Sequence, residues 1–422
     1  MKNDVIIIGA GAAGLMAMTE LLQAGYHVCL LEASPVAGGR IVTIHEAGFS
    51  GPVETGAEFV HGRLPLTLAL LDNAGIVYRP VSGSMISIQN GSWKKDEAHD
   101  PHWDAFMHQL SQLKSDITIA AFLDTFFAGE QYAALRASVQ RFSEGFDLAD
   151  IHQASALAAL HEWRHEEETQ YRLPGGYGQL IDYLLKQCSH ERGSIHFNSQ
   201  VVHIKYSKEG VTVTTRDDRQ FNAAALLITV SAGALQSGSF TFTPLLDKSY
   251  ADAIAQLGFG SVIKIMLQFS TAFWNTYRSD IGFLLSNETI PTWWTQLPIE
   301  SNLLTGWLGG PPAAAAWTTN DAALLQSSLQ SLAAIFNTTT ILLQQELLHY
   351  KICRWHNHPY AKGGYSYVTV HAAAAKKILA HPAGGVIFFA GEAIHRGQSQ
   401  GTVEAALQNG QLAAKMIQEK LG

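Results

Sequence analysis

Asp4 to Ile8 is a short, mostly apolar run that ends in glycine, the pattern of a strand buried on both faces. Ala12 to Ala24 follows with helix-forming residues, and His27 to Leu31 reads as a second strand, so a βαβ unit is expected at the very start. Leu66 to Ala74 has a helical pattern. From about Gly91 to Glu168 the periodicity is mostly helical, with many Ala, Leu and Gln and few strand signals. Ile195 to Tyr206 and Gly210 to Thr215 read as a β-hairpin, and Ala223 to Val230 as another buried strand. Val262 to Phe269 alternates like a strand inside a larger sheet, Val386 to Phe389 is a last apolar strand, and Thr402 to Lys420 reads as a C-terminal helix. Buried strands of one kind thus stand at the start, around the middle and at the end. The unit they build must be assembled from separated pieces.

Gly9, Gly11 and Gly14 form GAGAAG directly between the first strand and the first helix, with Ala13 inside the motif. The first glycine permits a tight turn, the second lets backbone approach a pyrophosphate, and the third lets helix pack on strand. The helix N-terminus then offers free N–H groups and a partial positive charge to phosphates. Glu32 ends the second strand 18 residues after Gly14, where an acid can accept hydrogen bonds from ribose hydroxyls. An acid there disfavours NADP; the motif alone does not separate NAD from FAD.

Composition narrows the class. At 422 residues two lobes are expected. Charged residues are 15% of the chain, below the roughly 25% typical of soluble proteins, and hydrophobic residues 47%, which suits a large core. The formal charge is 28 − 36 = −8 with no basic run, so nucleic acid is not an expected partner, and the mild acidity is compatible with cationic small molecules. Cys29, Cys188 and Cys353 form neither a metal-ligand spacing nor a disulfide framework, pointing to a reducing compartment. Val5 to Met18 carries glycines in a fixed pattern and lacks a clear basic leader, unlike a signal peptide, and no stretch of about 18 apolar residues occurs. A soluble cytoplasmic protein without membrane partner is the expectation; nothing in the sequence bears on oligomeric state.

Ala37-Gly38-Gly39-Arg40 follows soon after the acid, and resembles the GGR segment of flavin enzymes of glutathione-reductase topology. Further segments narrow the resemblance. Glu54 to Gly62 (ETGAEFVHG), Gly258 to Phe269 (GFGSVIKIMLQF), Trp355 to Tyr365 (WHNHPYAKGGY), and Phe389 to Glu392 (FAGE) with Gly401 to Glu404 (GTVE) are similar, in order and from end to end, to segments of the flavin-containing amine oxidases, the monoamine and polyamine oxidase superfamily. The resemblance implies an α/β fold, α+β overall. A glutathione-reductase-type, Rossmann-like FAD domain would comprise residues 1–75, 195–240 and 380–422. A substrate lobe of mixed sheet with a helical insertion would comprise 76–194 and 241–379.

The resemblance also implies roles. Gly9, Gly11, Ala13, Gly14, Glu32, Gly39, Arg40, Gly56, Ala57, Glu58, Phe59, Val201, Trp355, Gly391, Glu392, Gly401, Thr402 and Val403 would hold FAD, with Arg40 near the pyrophosphate and flavin edge. Val201 would meet the adenine through its backbone. Gly391 and Glu392 would lie near the ribityl chain, and Thr402 and Val403 would offer backbone N–H groups to the pyrimidine edge, which gains negative charge on reduction. Lys264 matches a lysine that holds a water against the reactive flavin nitrogen; on its own it would read as a lysine on the solvated face of an edge strand. Tyr365 matches one wall of an aromatic pair before the flavin, with an ordinary core tyrosine as the bland alternative. The other wall is a departure, since no aromatic residue stands between Gln398 and Thr402. Gly364 replaces the cysteine that tethers flavin in some monoamine oxidases, so FAD is expected without a covalent link; Cys353 reads as a small buried hydrophobe. His61 is a candidate amine contact or a structural histidine. Glu166, Glu167 and Glu168 could attract a polyamine or face solvent, and Trp293 and Trp294 could line or pack the substrate lobe.

The implied chemistry is oxidation of a C–N bond in a primary or secondary amine, monoamine or polyamine. Hydride passes to flavin N5, the imine hydrolyses to an aldehyde, and O2 takes the electrons as hydrogen peroxide. Rival readings are a desaturase or dehydrogenase of the same superfamily acting on C–C bonds, an L-amino-acid oxidase using Arg63, Arg164 or Arg172 for the carboxylate, and a non-catalytic flavin-binding scaffold.

Overall fold

The computed structural model describes residues 3–89, 91–95, 100–164, 169–397 and 399–422. Its first sheet, eight-stranded among the described residues, is built from distant parts of the chain. Gly193–His196, Val28–Leu31, Asn3–Ile8 and Gln220–Ile228 run parallel side by side, and Ile387–Phe389 joins in parallel along Gln220–Ile228. Gly210–Thr215 and Val201–Ser207 continue antiparallel from there, and Thr241–Thr243 closes the edge. The inner strands bury both faces, as continuous apolar runs such as Val5 to Ile8 require. Helix Ala12–Gln23 packs between this sheet and the C-terminal helix Val403–Leu421. Their close approach depends on Gly410, where a Cβ would stand 2.4 Å from the Ala13 carbonyl oxygen.

The second sheet, seven-stranded among the described residues, runs in the order Leu347–Arg354, Val262–Phe269, Leu303–Gly309, Thr292–Trp294, Ile281–Ser286, Ser84–Gln89, Ser92–Lys95. Its register gives it two unlike faces. Ile263, Ile265, Leu267, Leu304, Leu308 and Trp293 point into an apolar core beneath helix Asp321–Ile335. The opposite face carries Lys264, Met266, Thr305, Trp307 and Trp294. Helices between Trp103 and Arg164 form a separate apolar cluster around Phe106, Phe122 and Leu135.

Three sequence expectations change. The stretch from Gly91 does not begin helical: Ser92–Lys95 pairs with Ser84–Gln89 as a hairpin of the second sheet. Ile195 belongs to a separate parallel strand beside Val28–Leu31, and the hairpin arm starts at Val201. Residues 173–188, placed by the sequence in the substrate lobe, contribute Leu173, Tyr177, Leu180, Ile181 and Leu184 to the core of the first sheet. Glu166, Glu167 and Glu168 lie outside the described residues. Among those described, no helix is long and apolar enough to cross a membrane.

Candidate active site

The glycine turn separates packing from access. Gly9 has φ +107°, and a Cβ on Gly14 would lie 1.9 Å from the Gly9 carbonyl oxygen, so both positions exclude a side chain by contact. Gly11 is different: nothing lies within 4 Å of where its Cβ would stand, and the same holds at Gly391. Gly11 bridges to Gly38, with Gly39 beside it at φ +59°. Backbone bare of side chains at a helix N-terminus is the surface a pyrophosphate needs. Ala13 is buried under the final helix. Glu32 is buried where its strand ends. It accepts from the Ala10 N–H (2.7 Å) and the Ser34 N–H (2.7 Å), and burial pushes its carboxyl up. The Ser199 N–H reaches the Glu32 carbonyl (2.7 Å), which brings the start of the Val201 strand beside it, while the Val201 side chain lies in the core.

Arg40 crosses between the two ends of the chain. Its Nη1 donates to Glu392 Oε1 (2.7 Å) and to the Gly364 carbonyl (2.8 Å). Glu392 is buried and also accepts from the Ser366 hydroxyl. Trp355 donates to the Thr55 carbonyl (2.7 Å) and closes over Gly56, whose Cβ would meet the Arg40 carbonyl at 2.0 Å. The Ala57 N–H donates to that same carbonyl (3.0 Å). Thr402 caps the final helix through the Ala405 N–H (3.2 Å), placing Val403 at its first turn. Gly401, at φ +72°, lies against the Tyr365 ring.

Lys264 is 1% exposed in a strand hydrogen-bonded on both sides, so the edge-strand alternative does not hold. Its Nζ donates to Glu58 Oε2 (2.5 Å) and to the Gly56 carbonyl (3.1 Å), and lies 5.6 Å from the centre of the Trp294 ring. The second oxygen of Glu58 accepts from Trp294 Nε1 (2.9 Å) and pairs with Arg172 Nη2 (3.1 Å). Burial alone would push the Glu58 carboxyl up, yet the Lys264 and Arg172 charges outweigh it and hold the group below its ordinary value. Arg172 is itself 4% exposed and also donates to the Thr295 carbonyl (3.1 Å) and to Gln296.

Aromatic side chains extend from this ion cluster. Trp294 meets Trp307 (centroids 5.9 Å), and Trp307 stacks on Tyr365 at 6.4 Å and 25°. On the other side Phe59 meets Trp294 (5.7 Å) and His61 (5.9 Å), and His61 meets Phe146 (6.0 Å). Tyr365 donates its hydroxyl to the Phe146 carbonyl, closing the belt. The surrounding protein pulls the His61 ring down from its ordinary value, although the side chain itself is exposed at the edge of the belt. The belt therefore brings Lys264, Phe59, His61 and Tyr365 into one site, whereas Glu32 and Val201 stand apart from it beside the glycine turn.

The sequence missed Arg172 and Trp294 as partners of Glu58, and Trp307 as neighbour of Tyr365. Trp307 stands opposite Lys264 in the sheet register and stacks on Tyr365, a contact that no sequence spacing signals. Of the tryptophan pair, Trp293 packs the core and Trp294 faces the site, as alternation along a strand dictates. Glu404, fully buried, received no role. Its carboxylate accepts from the Leu66 and Thr67 N–H groups (3.0 and 2.7 Å), capping helix Pro65–Ala74.

A family model described as flavin containing amine oxidoreductase matches residues 12–86 and 93–418. The chain belongs to this family. Its cofactor is accordingly FAD, which the bare glycine turn fits. Among curated relatives, mouse lysine-specific histone demethylase 1B is 29% identical over 99% of this chain and 53% of its own length. Polyamine oxidase 2 of Arabidopsis thaliana is 29% identical over 64% of this chain and 59% of its own. The chain spans about half the length of such curated relatives. Two solved structures share the fold. Putrescine oxidase bound to putrescine superposes with TM-score 0.84 at 20% identity over 99% of both chains. Cyclohexylamine oxidase from Brevibacterium oxydans gives 0.82 at 23% over the whole of both.

Proposed function

We propose that this flavoprotein oxidises a C–N bond of a primary or secondary amine, with O2 as electron acceptor and hydrogen peroxide as product. The observation that carries the reading is Lys264, an ammonium buried on the same sheet face as the aromatic residues that lead to Tyr365. FAD, held without a covalent link since Gly364 offers no thiol, supplies the two-electron acceptor for the amine's α-carbon hydride. Lys264 would present an N–H to a water beside the cofactor. Apolar and aromatic walls favour the neutral amine by excluding water, which disfavours its charged form. The residues proposed to hold FAD are those of the glycine turn, Glu32, Gly39, Arg40, the 56–59 segment, Val201, Trp355, Gly391, Glu392 and the Gly401–Val403 turn.

Arg172 bears on substrate choice. Its guanidinium is already engaged by Glu58, Thr295 and Gln296, which weighs against its use for a substrate carboxylate and so against an L-amino acid. Peroxide release should be assayed with benzylamine, cyclohexylamine, putrescine, a peptide bearing methylated lysine, and L-amino acids. Peroxide from any of the first four, and none from the amino acids, supports the reading. Peroxide from amino acids alone overturns the argument from Arg172, and none from any substrate overturns the oxidase.

A further inference from the structure

We propose that Glu58 is a positioning residue for Lys264, fixing its ammonium for work at the cofactor. The inference rests on the catalytic reading of Lys264 and adds a residue to it. An ammonium carries three N–H donors. Two are taken by Glu58 Oε2 and the Gly56 carbonyl, both from the single segment 56–58. One donor remains for the cofactor side. A lysine stem has four rotatable bonds, so a lone lysine would wander; a charge-assisted bond of 2.5 Å ties its end.

The carboxylate is fixed in turn. Trp294 Nε1 and Arg172 Nη2 both engage Glu58 Oε1, and Arg172 is pinned by Thr295 and Gln296. Glu58 therefore has no freedom to rotate away from Lys264. The other titratable groups acting on this cluster are Glu54, from the segment before it, and the Cys353 thiol, from the strand beside Lys264.

The charges are unequal, and this gives the arrangement a testable asymmetry. One acid stands between two buried cations. Removing Lys264 leaves Glu58 and Arg172 as a matched pair. Removing the charge of Glu58 leaves two cations with no acid between them, the arrangement that buried groups tolerate least.

The test uses the full chain with Glu58→Gln, Glu58→Asp, Lys264→Met and the double variant Glu58→Gln/Lys264→Met. In the holoprotein, Glu58→Gln should lower Tm by about 5 °C or more, Lys264→Met by less, and the double variant should fall between them. In the holoprotein, reduction by the amines above and reoxidation by O2 after dithionite reduction are followed separately. Lys264→Met should slow one of these half-reactions. Glu58→Asp keeps the charge but shortens the reach, so it should slow the same half-reaction on the order of tenfold, since small misplacements at a reacting centre are expensive. Adding Glu58→Gln to Lys264→Met should slow it no further. If Lys264→Met slows neither half-reaction, the reading of Lys264 itself is wrong. If it slows one while Glu58→Asp runs at the wild-type rate, or if the Glu58→Gln and Lys264→Met effects multiply, Glu58 is only structural and the proposal is overturned.

Discussion

Trp307 and Tyr365 stack on one another and are anchored to adjacent residues: Trp307 Nε1 donates to the Gly145 carbonyl (2.7 Å) and the Tyr365 hydroxyl to that of Phe146. Both carbonyls lie at the C-terminal end of helix Ala133–Gly145, where backbone acceptors are left over by the helix itself. The helical insertion thereby sets the angle of the aromatic wall. Tyr365→Phe keeps the ring but frees it, and a net hydrogen bond is worth about 1 kcal/mol. Its kcat/KM for an amine should fall about fivefold with FAD content unchanged; steady-state kinetics on the purified variant checks this.

The two kinds of glycine in the turn should respond differently to one methyl group. Gly11→Ala meets open space, so the protein should fold with wild-type Tm while FAD binding weakens at least about tenfold through lost backbone approach. Gly14→Ala drives a Cβ into the Gly9 carbonyl and should lower the Tm of the FAD-free protein as well. FAD titration beside thermal unfolding separates the two.

Glu54 gives a pH dependence of known sign. Burial pushes its carboxyl up to about 7, with the bonds from Tyr177 and Thr43 opposing it. A carboxyl raised in the folded state stabilises the fold while protonated, and that contribution is lost as pH climbs from its unfolded value towards about 7. The Tm of the FAD-free protein should therefore fall across this window in the wild type, and fall less in Glu54→Gln, whose amide mimics the protonated acid.

His61 gives the opposite case. Its side chain is exposed, yet the surrounding protein pulls its value down and so favours the neutral ring. His61→Gln should leave the shape of the kcat/KM–pH profile unchanged between about pH 5 and 8, and loss of a limb near pH 6.5 would show that His61 titrates there.

Glu404 should matter for stability although it lies outside the aromatic belt. Its carboxylate takes the first N–H groups of helix Pro65–Ala74, where an acid also meets the favourable end of the helix dipole. Glu404→Ala leaves those donors buried and unpaired and should cost about 3 kcal/mol, read by chemical denaturation.

The sequence made legible what is local. The strand, GAGAAG and Glu32 are contiguous, and their order follows from backbone geometry and apolar runs. Lys264 was legible only through its family pattern, because its burial depends on the strands that carry its register partners Trp307 and Cys353, far away in sequence. The partners of Glu58 were not legible at all: Trp294 lies 236 residues from it, and no periodicity encodes such a contact. The hairpin at Ser84–Lys95 does carry a local signal, an Asn-Gly pair between two alternating runs, but the helical composition that follows outweighs it.

The most direct test is anaerobic. The holoprotein is mixed with benzylamine, cyclohexylamine, putrescine or a methylated-lysine peptide while the flavin band is followed, and air is then admitted. Bleaching by one of these amines, with recovery of the band and stoichiometric peroxide on aeration, is the predicted result. A yellow protein that none of them bleaches would contradict the account.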